Sequence, residues 1–108
     1  MSDLIKSELD DIVKTIADTG IATKIILFGS HATGNANIDS DIDLCVLTHI
    51  KDKHPADIAA DLGMSLVNVQ KRPLDLLAYN QDMFAVHSAR STSFEHIIDR
   101  EGVVLYER

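Results

Sequence analysis

Three short apolar runs, Lys24–Phe28, Asp41–Thr48 and Leu74–Tyr79, alternate with longer segments whose apolar residues recur at helical spacing. This alternation limits the fold more than any other feature. Strands so short bury themselves only side by side, and helices with one apolar stripe must lie on the sheet they form. Leu4, Ile5, Leu9, Ile12, Val13, Ile16 and Ala17, with acids and lysines between them, predict an amphipathic first helix stopped by Gly20. His31–Asn37, which contains Gly34, reads as a turn of helix and a loop. Pro55 suits the first turn of a helix carrying Ile58, Ala59, Leu62, Leu66 and Val69, with Gly63 a weak point inside it.

Pro73 opens the third strand, and Asn80 is expected to cap a short helix through Phe84 and Val86. Thr92 and Glu95 have capping-box spacing for a last helix with Phe94, Ile97 and Ile98. Gly102 ends that helix, and Val103–Tyr106 reads as a final strand. The order α-β-α-β-α-β-α-α-β predicts an α/β (α+β) fold, a small mixed β-sheet flanked by helices. With no repeat, linker or low-complexity stretch, residues 1–108 read as one domain, and 45% hydrophobic content is enough for one core.

Acidic residues outnumber lysine and arginine 17 to 10, a net charge of −7. A chain that grips polymeric DNA or RNA neutralises phosphates with basic side chains, so strong nucleic-acid binding is not expected. A surplus of carboxylates fits a bound divalent cation better. The single Cys45 lies in an apolar run and reads as a small buried hydrophobe. The N-terminus lacks the apolar core of a signal peptide and no run reaches membrane-spanning length, so a cytoplasmic protein is expected, with no membrane partner.

The chemistry concentrates in the first two strands. Gly29-Ser30 follows the first strand, ten residues intervene, and Asp41-Ile42-Asp43 begins the second. Strand residues two apart share a face, about 6.6 Å between Cα atoms. Asp41 and Asp43 therefore stand together while Ile42, Leu44 and Val46 face the core. Two adjacent carboxylates repel unless a cation lies between them, and Mg2+ takes a few carboxylates plus phosphate oxygens. Gly29 lets the backbone turn tightly and approach a ligand, and the Ser30 hydroxyl with the N–H groups that follow forms a phosphate cradle. Asp75, within the apolar Leu74–Leu77, is costly to bury alone. Beside the acid pair it would be a third metal ligand or a base for an attacking hydroxyl.

Gly29-Ser30, the ten-residue interval, Asp41-x-Asp43 and the later Asp75 resemble the signature of the DNA polymerase beta-like nucleotidyltransferase superfamily. The chain as a whole, including Arg100–Arg108, is similar to its minimal nucleotidyltransferase (MNT) subgroup. The resemblance implies a nucleotidyltransferase fold and an enzyme using Mg2+ and ATP. Gly29 and Ser30 would bind the nucleotide; Asp41, Asp43 and Asp75 would hold metal and carry catalysis. Relatives often have Arg after the Gly-Ser, where this chain has His31. Larger relatives add a helical domain that forms an acceptor pocket, whereas this sequence ends at Arg108, so the acceptor side is expected from a partner or a second copy. MNT proteins are commonly paired with a HEPN-domain toxin. The implied function is therefore antitoxin of a type VII-like toxin–antitoxin pair, transferring AMP to a Tyr of the toxin. Two alternatives stay open: transfer to a small molecule such as an aminoglycoside, or a non-catalytic subunit that binds nucleotide or masks its partner.

Other motifs carry less. A P-loop built on Gly29 and Gly34 fails, because Asn35-Ala36 stands where Lys and Ser/Thr are needed. The five histidines show no metal-ligand spacing and are expected at the surface or as caps. Arg72 could reach a phosphate but reads as an ordinary exposed charge.

Overall fold

The computed structural model describes residues 3–37 and 39–108. Its elements follow the expected order: α1 (Asp3–Asp18), β1 (Ala22–Phe28), α2 (Ser30–Thr33), β2 (Ile42–Thr48), α3 (Pro55–Ser65), β3 (Leu74–Asn80), α4 (Gln81–Ser88), α5 (Phe94–Glu101) and β4 (Val103–Glu107). The sheet runs β3-β2-β1-β4. β1 is antiparallel to β2 and β4, while β2 and β3 are parallel, so the sheet is mixed as the sequence implied.

Strand alternation divides the interior in two. Ile42, Leu44 and Val46 of β2 pack with Ile25 and Leu27 of β1 against Ile5, Leu9, Ile12 and Ile16 of α1 and Ile58 and Leu62 of α3. On the other face, Cys45 and Leu47 join Ile26, Phe84 of α4 and Ile98 of α5. β2 is therefore buried on both faces. Ile12 and Ile16 are almost fully enclosed, and truncating either to Ala would cost about 2–5 kcal/mol. Cys45 is buried, and desolvation, then the Glu95 charge, push its thiol up to about 12, so it is the inert hydrophobe expected.

Several boundaries differ from expectation. β1 starts at Ala22, two residues before Lys24, because Ala22 pairs with Thr48 across the ladder. Asp41 lies just outside β2 rather than at its first position. α3 stops at Ser65, and Leu66 is its C-cap; Val69 sits in the turn beyond, packed on the core. Asn80 caps α4 as expected, accepting from the Asp82 and Met83 N–H groups. The α5 cap is Ser93, not Thr92: its hydroxyl accepts from His96 N at 3.0 Å and donates to His87 O at 2.7 Å. His54 caps α3, accepting the Ala56 N–H through Nδ1 at 3.1 Å. Among the described residues, no helix is long and apolar enough to cross a membrane.

Candidate active site

The motif residues converge where β1 ends and β2 and β3 begin. Phe28 pairs with Asp43, and Asp43 pairs with Asp75 in the next strand. Because Ile42 and Leu44 face the α1/α3 core, Asp43 projects from the opposite face, toward the α5 side. Asp75 is its direct register partner, so parallel pairing delivers the third acid that spacing alone could only suggest. Asp41 is exposed just before the strand, Asp43 is half-buried, and Asp75 is exposed on the outermost strand.

Burial raises the Asp43 carboxyl above the usual range first. A hydrogen bond with Asp75 and repulsion from Asp75 and Asp41 add to this, and His31 opposes it slightly. As the side chains lie, no three His, Cys, Asp or Glu among the described residues form a cation-holding group. The donor set is nonetheless all oxygen and anionic, the kind that suits Mg2+ or Mn2+ rather than softer metals, and a cation would relieve the repulsion that raises Asp43.

Gly29 has φ 74° and ψ −155°, a region almost closed to other residues. A Cβ built there would overlap Asp43 Oδ2 and lie 3.1 Å from its Cγ. The glycine thus brings backbone against the carboxylate with nothing between. α2 begins at Ser30, and no side chain caps it. Beside this turn, Phe28, Gly29, Asp43, Phe94, Ile97, Ile98 and Glu101 line a cavity of about 310 Å³. Phe28 and Phe94 meet edge to face there, with centroids 5.8 Å apart. A larger cavity of about 410 Å³, lined by Ile50, Lys51 and Asn80 among others, contains none of the motif residues. Its larger volume does not make it the site.

Residues 10–108 match the family model described as polymerase beta, nucleotidyltransferase. The chain belongs to that nucleotidyltransferase family. No curated protein matches it. Among solved structures, it resembles a candidate nucleotidyltransferase from Sulfolobus solfataricus at 17% identity and TM-score 0.66, over 100% of this chain and 90% of that one. It also resembles a toxin–antitoxin determined with AMP-PNP (22% identity, TM-score 0.56) and a mutant of the MntA–HpeT toxin–antitoxin (20%, 0.55). Each of these two alignments covers 92% of this chain and 73% of the other. At such identities the likeness establishes the nucleotidyltransferase fold.

Within this family member, two motif neighbours are held by bonds the sequence did not reveal. His31 Nε2 lies 3.0 Å from Ser40 O, which ties α2 to the residue before Asp41. Arg72 is not an ordinary exposed charge: its Nε donates to Glu8 Oε2 at 2.6 Å and its Nη2 to Oε1 at 3.0 Å. Glu8 was missed altogether. The available signal was its place three residues after Ile5 and four before Ile12, inside the apolar stripe of α1.

Proposed function

We propose that residues 1–108 act as one nucleotidyltransferase domain that transfers AMP from ATP to an acceptor hydroxyl with Mg2+. The acceptor is a Tyr of a HEPN-domain toxin, which makes the chain a cytoplasmic antitoxin. The observation that carries this proposal is the in-register Asp43–Asp75 pair pressed against the side-chain-free Gly29 turn. The ATP analogue in one similar toxin–antitoxin structure supports the choice of nucleotide, and the two such neighbours support the partner class.

In this scheme Gly29, the Ser30 hydroxyl and the first N–H groups of α2 hold the β- and γ-phosphates. Asp41, Asp43 and Asp75 would hold Mg2+, which supplies charge neutralisation at the triphosphate. The cavity beside Phe28 and Phe94 lies on the Gly29 side and receives the nucleoside. Asp75, exposed on the opposite side of Asp43, faces the acceptor and takes the proton of its hydroxyl. The freed oxygen forms a bond to the α-phosphorus, the bond to the bridging oxygen breaks, and pyrophosphate leaves on the Gly29-Ser30 side.

The test is incubation with α-labelled ATP, Mg2+ and a co-expressed HEPN partner, with mass measurement of the partner. The expected result is one or more AMP groups on Tyr, lost in Asp41→Asn/Asp43→Asn. If no label reaches the partner and that double variant still neutralises it, the enzymatic reading fails in favour of masking.

A further inference from the structure

Glu8 and Thr48 are the buried polar residues among those described, and Glu8 takes no part in the proposed chemistry. Its carboxylate is fully engaged by the Arg72 fork, with side-chain exposures of 13% for Arg72 and 5% for Glu8. A buried ion pair adds little stability over an apolar pair of the same volume, because desolvation offsets the attraction. What it offers is geometry, since a bidentate fork fixes both distance and orientation.

The pair links α1 to the segment that leads into β3. β3 is an outermost strand, held in the sheet by β2 alone. The ladder between them is anchored at its start by Ile42 N donating to Pro73 O at 3.1 Å, one residue after Arg72. Asp75 follows three residues after Arg72, in register with Asp43. The pair therefore fixes the chain where β3 enters the sheet beside β2.

We infer that the Glu8–Arg72 pair is a positioning device that pins the start of β3 and so sets Asp75 against Asp43, without touching substrate. The consequence for transfer rests on the proposed function; the consequence for β3 does not.

The test replaces the pair by apolar residues, Glu8→Met/Arg72→Leu, with Arg72→Lys as a second variant that keeps charge but loses the fork. Urea unfolding of the double variant should match or exceed wild type. Its kcat for AMP transfer should nonetheless fall about tenfold or more, with KM for ATP within roughly threefold. Hydrogen exchange of β3 amides should accelerate about tenfold relative to those of β1. Arg72→Lys should show the same split at smaller size. A stable double variant with wild-type kcat and β3 protection overturns the inference, as does Arg72→Lys with both unchanged should the double variant not fold. If wild type transfers nothing while β3 exchange still accelerates, positioning stands and the proposed reaction falls.

Discussion

Replacing Gly29 with alanine separates two demands that the structure makes on one residue. The first is conformational: at φ 74° and ψ −155° an L-residue is strained by about 1–3 kcal/mol. The second is spatial, because the new methyl would overlap Asp43 Oδ2. Asp43 is hemmed by Asp75 on one side and Phe28 on the other. Relief requires its carboxylate to move by roughly 1 Å, a displacement that costs about 100-fold in rate when it affects a reacting centre. Gly20 supplies the control, since it too has φ 74° but has nothing within 4 Å of a built Cβ. Urea unfolding should show both alanine variants destabilised, each by about 1–3 kcal/mol. Transfer from labelled ATP, measured where both remain folded, should collapse only in Gly29→Ala. Transfer by Gly29→Ala within threefold of Gly20→Ala would refute the close-approach argument.

Two further outcomes follow from the same geometry. A carboxyl whose folded-state pKa is raised stabilises the fold below its unfolded value, about 3.9 for Asp, and loses that contribution as pH rises through the raised one. Burial and Asp75 raise Asp43 in this way. Metal-free Asp43→Asn should therefore be more stable than wild type at pH 7, by up to about 1 kcal/mol, with the difference fading below about pH 4. Thermal unfolding with chelator across that range measures it, and equal stability at pH 7 would count against the repulsion. Ser93→Ala should cost about 1 kcal/mol through loss of the α5 cap, whereas Thr92→Ala should stay within about 0.5 kcal/mol. Urea midpoints of the two variants decide which residue is the cap.

Periodicity revealed the elements because each helix buries one stripe and each strand alternates. Ile42, Leu44 and Val46 face one core as their spacing implied. Cys45 and Leu47 are buried as well, because α4 and α5 cover the second face; a strand's own pattern does not show what lies above it. The start of β1 was hidden by Thr23, whose polarity breaks the apolar run between Ala22 and Ile25 in a strand paired on both sides. Thr92 has the capping-box spacing to Glu95, but the hydroxyl that reaches the helix is that of Ser93, one residue on, because α5 starts at Phe94. The Gly29-Ser30 and Asp41-x-Asp43 spacing pointed to one site because both halves flank a single antiparallel pair. Asp75 needed the parallel register of β3 to meet them. Glu8 and Arg72, 64 residues apart, could not be paired without the fold.

The acids do not share one mechanical footing. Asp43 stands on β2, flanked by strands on both sides and sealed above and below by helices. Amides in such a strand exchange only when the whole fold opens, whereas a marginal strand can detach in smaller, more frequent fluctuations. Asp75 stands on that margin. Opening at that edge would move Asp75 while leaving Asp43 in place, and the Glu8–Arg72 pair at the start of β3 is placed to oppose it.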